Sequence, residues 1–344
     1  MKMNNLKRRF IILSHIIIFF TISCSEANRT INLSKQLLGT TVTITVISDQ
    51  TAGPRAVHAA FDEISRIEKI FSIYKSESQL SIVNSKAHIK PVKVDSEVLD
   101  LIKLSIDISK KTDGAFDITF ASMGNLWNYR NDEFIPPSSV EVKKILPAFG
   151  YKNILIDEDN KTVMFLNPLT KIGFGGIAKG YAAKRAVAVL KDFGIKDGIV
   201  ACAGDIQVFG DNKGKPWLAG IKHPREDSII GTINLYGDES ISTSGDYERF
   251  KFYKGKRFHH IINPKTGYPS ESGLISATVI CSDPVYSDAC ATAIFVMGLK
   301  DCCDFLKREK FLSVILIDED LTIYVSNSLK DRVSLKDGFK VVFI

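Results

Sequence analysis

One stretch of the chain, GFGGIAKGYA from Gly173 to Ala182, restricts the backbone more than any other. It places four glycines and one lysine within eight residues, between an apolar strand-like run and a helical run. Glycine has no Cβ, so this backbone can approach a ligand closely, and the helix that follows offers free N–H groups to an anion. The pattern predicts a phosphate-binding turn. The alternative is a tight strand-to-helix turn with a solvated Lys179.

The glycine spacing matches known nucleotide-binding loops only formally. Gly173, Gly175 and Ala178 fit the pattern GxGxxA, but the acidic residue expected about 20 residues later at a strand end is missing. The segment is not a Walker loop, because Lys179 precedes Gly180 and no Ser or Thr follows the lysine. The stretch therefore does not by itself predict a doubly wound dinucleotide-binding sheet.

The hydrophobic pattern along the rest of the chain mixes two periods. Helical spacing predicts helices over about 56–72, 98–108, 139–149, 177–193 and 287–297. Apolar and β-branched runs predict strands over about 40–47, 154–156, 163–166, 198–203, 206–209, 217–221, 229–235, 258–262, 276–281, 312–317 and 322–325. This order is not a regular βαβ alternation, so the sequence predicts an α+β fold with mainly antiparallel sheets and packed helices.

The N-terminal segment resembles an export signal. A basic start is followed by an apolar run from Phe10 to Phe20 and then by small residues before Cys24. A cysteine at this point is typical of a bacterial lipoprotein, which predicts a signal peptide over 1–23 and lipidation of Cys24. The alternative is ordinary cleavage, with Cys24 an incidental thiol. The expected location is the cell envelope, lipid-anchored and facing the periplasm, with the remaining residues 24–344 forming one domain.

Charge and cysteine content exclude two classes of protein. The formal net charge is +6, but four positive charges and no acidic residue lie in residues 1–23, so about +2 remains after subtracting these four. With no long basic run, nucleic-acid binding is not expected. The cysteines at 24, 202, 281, 290, 302 and 303 form no CxxC pair, and apolar neighbours indicate buried thiols rather than a disulfide framework or a zinc site.

Asp288 and Thr292 form the first candidate pair of polar side chains. They are four residues apart in a predicted helix, so a carboxylate and a hydroxyl lie on one helix face. Two such oxygens suit a hard cation such as Mg²⁺, which commonly keeps waters and substrate phosphates as further ligands. The alternative is that Asp288 only caps the helix or interacts with its dipole.

Two further segments carry candidate functional groups. HHIINPKTG, from His259 to Gly267, is a predicted strand running into a turn, and a histidine at a strand end can act as a general base near neutral pH. A surface histidine pair is the alternative. GAFDIT, from Gly114 to Thr119, combines an aromatic ring and a carboxylate just after a helix, with a helix C-cap and a packed Phe116 as the alternative.

Several blocks together resemble one known family. GAFDIT, GGIAKGYA, ISTSGDYERF, HHIINPKTGYP and SDACAT occur in this order and spacing in the ApbE family of FAD:protein FMN transferases. The blocks LLGTTVTITV, FSIYKSESQLSIVN and GDIQVFG are also similar, and the resemblance runs from about Leu38 to Met297. It implies an ApbE-like architecture related to the T-fold.

The resemblance also implies a reaction. FAD is the substrate, and FMN is transferred from it to a threonine (or serine) hydroxyl of a partner flavoprotein through a phosphoester bond, with release of AMP and a requirement for Mg²⁺. Implied acceptors are flavoprotein subunits of respiratory or electron-transfer complexes. Two alternatives remain: an FAD pyrophosphatase that produces FMN and AMP, and a non-catalytic flavin-binding lipoprotein.

The site residues are carried over from the family by position. The resemblance implies that Mg²⁺ binds the Gly176 carbonyl, Asp288 and Thr292, and that His260 is the base, with Asp246 a weaker candidate. Implied contacts to FAD are Leu38, Tyr74, Ala115, Phe116, Asp117, Lys179 and Ile262. Gly173 stands where many members have Asp, and Ala291 where some have another carboxylate.

Overall fold

The computed structural model describes residues 28–124, 126–129 and 133–344. Its strands are β1 (Arg29–Leu37), β2 (Thr40–Ser48), β3 (Val92–Lys93), β4 (Ile154–Asp157), β5 (Thr162–Phe165), β6 (Gly198–Cys202), β7 (Asp205–Phe209), β8 (Trp217–Lys222), β9 (Ile229–Leu235), β10 (Ser240–Gly245), β11 (Phe250–Tyr253), β12 (Lys256–His259), β13 (Leu274–Cys281), β14 (Ser313–Asp318), β15 (Ile323–Val325), β16 (Val333–Leu335) and β17 (Val341–Phe343). Its helices are α1 (Ala52–Phe71), α2 (Gln79–Lys86), α3 (Ser96–Lys111), α4 (Ser139–Ile145), α5 (Ala178–Asp192) and α6 (Pro284–Arg308). Short 3₁₀ turns, including one over Ile118–Met123, connect some of them.

A nine-stranded sheet organises the chain. Its strands lie in the order β1, β2, β6, β7, β10, β13, β14, β15 and β17. Every neighbouring pair is antiparallel except β15 and β17, which pair in parallel. This pairing confirms the predicted α+β class with mainly antiparallel sheets. Antiparallel neighbours can be joined by short turns, as β1 and β2 are.

Helices cover one face of this sheet, and strands cover the other. α5 and α6 pack against each other and against β7, β10 and β13, and α1 packs on α5. The main core lies between these layers, where strand residues such as Val42, Ile44 and Ala277 contact helical residues such as Ile64 and Ile294. A second core on the opposite face joins the sheet to β8, β9 and β16.

Three serines of β10 face the helices. Ser240, Ser242 and Ser244 alternate with Ile241 and Thr243, as side chains do along a strand. The Ser242 and Ser287 hydroxyls lie 2.9 Å apart, so a residue of β10 directly contacts α6. Small polar residues therefore let α6 approach the sheet closely at this point. The local sequence predicted no strand here, because it lacks a run of large apolar residues.

The termini of α6 differ from the prediction for local reasons. The helix begins at Pro284 instead of 287, because Asp283 caps it by accepting a hydrogen bond from the Val285 N–H at 2.9 Å. It extends past 297 to Arg308 through a kink at Gly298, where φ is +78°. A side chain at Gly298 would lie 2.9 Å from the Ser272 carbonyl, so the kink lets the 270–274 segment pass.

Other expectations are confirmed in part. α4 ends at Ile145, before Pro147 and short of the predicted 149, and α5 ends at Asp192, within one residue of its predicted end, with Gly194 at φ +81°. Cys202, Cys281, Cys290 and Cys302 are buried free thiols, and Cys303 is free and half-buried. β1, α2 and β11 were not predicted, and the strand predicted over 258–262 is observed as β12, Lys256–His259. Within the described part of the chain, no helix has both the length and the hydropathy needed to cross a bilayer.

Candidate active site

The glycine stretch lies directly against the first half of α6. At Gly176, a Cβ would lie 3.2 Å from the Thr292 hydroxyl and 3.5 Å from the Phe116 ring. At Gly180, a Cβ would lie only 2.0 Å from the Pro284 carbonyl and 2.9 Å from the Asp288 Cβ. Gly180 thus lets α5 and α6 touch through their backbones, and this contact joins two sequence motifs more than a hundred residues apart.

Asp288 is buried at the junction of the two helices. Its Oδ2 accepts a hydrogen bond from the Gly180 N–H at 2.9 Å, so the start of α5 faces this carboxylate. Burial raises the pKa of Asp288, while the nearby positive charge of Lys179 and backbone N–H donors act in the opposite direction. Because burial disfavours the ionised carboxylate, a cation beside Asp288 would stabilise it.

Lys179 is held by a residue that the sequence analysis did not single out. Its Nζ forms an ion pair with the carboxylate of Asp205, which is buried at the start of β7. The lysine side chain is 30% exposed, so its charge lies between the buried Asp205 carboxylate and solvent. This contact excludes the fully solvated Lys179 of the alternative interpretation. Asp205 lies in the GDIQVFG block, which was the available signal.

Thr292 is paired with a second residue that sequence reasoning missed. Its Oγ1 lies 3.2 Å from the Oγ of Ser244, the last serine of β10 that faces α6. Both side chains are partly exposed, as is Gly176, whereas Asp288 is buried below them. Ser244 lies in the ISTSGDYERF block, so the resemblance pointed to this segment. Its contact with Thr292 depends on how β10 pairs in the sheet, which the local sequence does not indicate.

The donor set at this junction fits a hard cation. One carboxylate, one hydroxyl and a glycine backbone converge from α6 and from the turn before α5, and oxygen donors are the ligands that Mg²⁺ prefers. Across residues 28–124, 126–129 and 133–344, no three His, Cys, Asp or Glu side chains cluster as a metal site. The predicted Mg²⁺ site differs from such a cluster, because it uses a single carboxylate and leaves other coordination positions to water and substrate.

The two adjacent histidines have different environments. His259 is buried, with Nε2 2.9 Å from the Ser270 carbonyl and Nδ1 accepting from the Ile261 N–H at 3.3 Å. Both of its nitrogens are therefore used to hold the loop. His260 is partly exposed, with Nδ1 3.2 Å from the Arg249 carbonyl, which leaves Nε2 to face other groups.

His260 is neutral at physiological pH. Burial, together with the positive charge of Arg249, lowers its pKa to about 4. The charge of Lys179 acts on the pKa of His260 in the same direction, so the two side chains lie within electrostatic reach of each other. A neutral imidazole can accept a proton, which is what the predicted general base requires.

Asp246, the weaker candidate, is bound within the protein. Its two carboxylate oxygens accept hydrogen bonds from Arg225 Nη1 and Nη2 at 2.6 and 2.8 Å. Asp246 and His259 line a cavity of about 1520 Å³ that extends to Val296 and also includes Ala115. Because a guanidinium occupies both its oxygens, Asp246 is poorly placed to take up a substrate proton.

The residues predicted to contact FAD lie in several environments. Phe116 is buried beside Gly176, and Ala115 is buried next to it. The Asp117 carboxylate accepts from the Thr119 N–H, the Thr119 hydroxyl and the Tyr151 N–H at 2.8, 2.6 and 2.6 Å, and burial raises its pKa. Its side chain therefore braces the loop, and its contact with FAD stays a prediction.

The remaining three predicted FAD contacts are Leu38, Tyr74 and Ile262. Leu38 occupies the two-residue turn between β1 and β2 with φ +56°, an uncommon conformation for leucine. Tyr74 is 71% exposed, and Ile262 is buried in an aromatic cluster with Met123 and Trp127. Exposure of Tyr74 agrees with a ring that covers a ligand, and all three assignments stay predictions. The predicted signal peptide and Cys24 lie outside the described residues.

Comparison with known proteins identifies the family. A model described as "ApbE family" matches residues 38–316, which is well over half of the chain. The chain belongs to the ApbE family. Among curated relatives, the FAD:protein FMN transferase of Klebsiella pneumoniae (strain 342) is 29% identical over 318 residues, covering 92% of this chain and 98% of that protein. The FAD:protein FMN transferase of Buchnera aphidicola subsp. Schizaphis graminum is 32% identical over 310 residues, covering 88% and 90%.

Solved ApbE structures have the same architecture. The ApbE protein of Thermotoga maritima is similar with a TM-score of 0.82 and 36% identity, covering 88% of this chain and 99% of that one. The flavin transferase ApbE from Vibrio cholerae is similar with a TM-score of 0.78 and 26% identity, covering 89% and 99%. These ApbE relatives confirm the fold predicted from the sequence blocks.

Proposed function

We propose that this chain is an FAD:protein FMN transferase that joins FMN to a threonine or serine hydroxyl of an acceptor flavoprotein. The observation that carries the proposal is the convergence of Gly176, Asp288 and Thr292 beside Lys179 in a member of the ApbE family. Relatives that carry the name FAD:protein FMN transferase align with nearly their whole length. An oxygen-rich site next to a lysine suits an anionic pyrophosphate substrate.

The reaction is a substitution at phosphorus. The acceptor hydroxyl oxygen forms a bond to the FMN phosphorus of FAD, and the bond from that phosphorus to the bridging oxygen of the pyrophosphate breaks. The bridging oxygen leaves with the electron pair as part of AMP. The hydroxyl proton goes to the neutral imidazole of His260. Positioning and charge neutralisation supply most of the acceleration in such transfers.

The chain's own residues divide this work. Asp288, Thr292 and the Gly176 carbonyl would hold Mg²⁺, which supplies charge neutralisation and Lewis acidity to phosphate oxygens when bound. Lys179, fixed by Asp205, contributes a second positive charge at the entrance of α5. Phe116 provides an apolar surface beside the glycine turn for the flat rings of the substrate.

The products of one incubation test the proposal. Purified protein is mixed with FAD, Mg²⁺ and an acceptor domain that contains a target threonine, and AMP, free FMN and protein-bound flavin are quantified. We expect AMP and protein-bound flavin in equal amounts. AMP with an equal amount of free FMN and no protein-bound flavin would mean hydrolysis, and unchanged FAD that stays bound would mean a carrier. Either result would overturn the proposed transferase activity.

We further propose that the protein is anchored in the cell envelope by a lipid on Cys24, faces the periplasm, and modifies flavoprotein subunits of respiratory or electron-transfer complexes. The basic start, the apolar run and the position of Cys24 in the sequence support the anchor. In a bacterial host, wild-type protein should fractionate with membranes, and the Cys24→Ser variant should not carry the lipid. Equal incorporation of labelled fatty acid into both proteins would contradict the anchor.

A further inference from the structure

We infer that Ser244 is a positioning residue that orients the Thr292 hydroxyl for cation binding. This inference rests on the proposed function, since it presumes that Thr292 is a ligand. The observation is the pair of hydroxyl oxygens 3.2 Å apart, formed between the last helix-facing serine of β10 and the middle of α6. Both residues are partly exposed, as is Gly176.

The chemistry of a hydroxyl ligand fixes the direction of this hydrogen bond. A threonine hydroxyl has one hydrogen and two lone pairs. When one lone pair points to a cation, the oxygen keeps its hydrogen, which becomes a stronger donor and needs an acceptor. Ser244 Oγ lies within hydrogen-bond distance and can accept it. The hydrogen of Ser244 then points away from Thr292.

The surrounding structure holds Ser244 in place. It belongs to β10 and is paired there with Ala277 of β13, while β7 pairs with the start of the same strand at Ser240 and Ile241. Two residues earlier, Ser242 meets Ser287 of α6 at 2.9 Å, so the strand and the helix are already in contact. A rigid strand can therefore set the rotamer of Thr292, as partners behind metal ligands generally do.

The test measures cation binding directly, without turnover. Mn²⁺ replaces Mg²⁺ as a spectroscopic probe, and free Mn²⁺ is followed by electron paramagnetic resonance as FAD-free protein is added. We expect Ser244→Ala to weaken Mn²⁺ binding about tenfold, in the range typical for loss of a partner behind a ligand. Ser244→Thr keeps an acceptor oxygen and should restore most of the affinity.

A matched control lies next to Ser244 on the same strand. Thr243 faces the other side of the sheet, where its hydroxyl lies 2.8 Å from that of Thr278. Thr243→Val removes a hydroxyl pair of the same kind and should lower the melting temperature without changing Mn²⁺ affinity. If Ser244→Ala behaves in the same way, the pair only ties β10 to α6 and the inference is wrong.

The Asp288→Asn variant separates this inference from the proposed function. If Asp288→Asn abolishes Mn²⁺ binding but Ser244→Ala does not weaken it, the metal site stands and the role of Ser244 falls. If Asp288→Asn binds Mn²⁺ as well as wild type does, the ligand assignment fails and the inference fails with it. Ser244→Cys is similar in size to the wild type but offers a weaker acceptor, so it should bind Mn²⁺ with intermediate affinity. This variant tests the inference if Ser244→Ala folds poorly.

Discussion

Replacing Asp288 with asparagine should lower the rate of FMN transfer by about a thousandfold, because a cation at a phosphoryl group contributes several kcal/mol of transition-state stabilisation. Asparagine keeps the shape and still offers a carbonyl oxygen to the Gly180 N–H, which lies 2.9 Å from Asp288. The fold should therefore survive while the negative charge that holds the cation is lost. Single-turnover transfer at saturating FAD and Mg²⁺ measures the effect.

The control for Asp288 is a helical carboxylate that does not line the cavity. Asp107 lies on α3, is exposed, and pairs with Lys110 at 3.4 Å. Asp107→Asn should transfer FMN at the wild-type rate. Wild-type activity in Asp288→Asn as well would remove Asp288 from the catalytic site, and circular dichroism of both variants excludes a misfolded protein as the cause of a loss.

Replacing His260 with glutamine should slow transfer by about a hundredfold to ten-thousandfold, the usual contribution of a positioned base. Glutamine can still form a hydrogen bond near the Arg249 carbonyl, but it cannot take up the proton of the acceptor hydroxyl. His88, which is exposed and lies outside every block of the resemblance, provides the control. His88→Gln should be as active as wild type.

The pH profile distinguishes a base from a structural histidine. The folded-state pKa of His260 is lowered from 6.5 to about 4, first by burial and then by the charge of Arg249. The neutral form therefore dominates above about pH 5, and the rate should fall only as the pH drops through about 4. In His260→Gln this acidic limb should vanish. An unchanged limb in the variant would assign it to another group.

The same lowered pKa has a consequence for stability. The unfolded chain takes up a proton on His260 near its ordinary pKa of 6.5, whereas the folded chain does so only near 4. Protonation of His260 in the unfolded chain therefore lowers the stability of the folded state progressively as the pH falls from about 6.5 to 4, and His260 has no such effect at higher pH. Activity assays at pH 4 need a parallel measurement of unfolding.

Local patterns in the sequence predicted much of the fold. The β-branched run of β2 and the helical spacing in α1 and α5 each specify an element through their own side chains, so each was found near its observed bounds. β10 was missed because its serines are suited to contact with α6 and not to an apolar core. Its strand conformation depends on β7 and β13, which are distant in the sequence.

The candidate site, like the fold, could be predicted only in part. Asp288 and Thr292 could be paired from their spacing, because a helix places residues four apart on one face. That Gly176 touches Thr292, and that Gly180 lets α5 lie on α6, depends on tertiary packing that no spacing rule contains. The ion pair of Lys179 with Asp205 and the contact of Ser244 with Thr292 arise from strands β7 and β10 and were not predicted.

We conclude that this chain attaches FMN covalently to a protein, the activity that separates it from an FAD hydrolase or a flavin carrier. It is tested most directly by in-gel flavin fluorescence of an acceptor domain after incubation with the enzyme, FAD and Mg²⁺. We predict a fluorescent acceptor band that survives denaturation and is absent when the target threonine of the acceptor is alanine. An acceptor that stays dark while FAD is converted to FMN and AMP would contradict the claim.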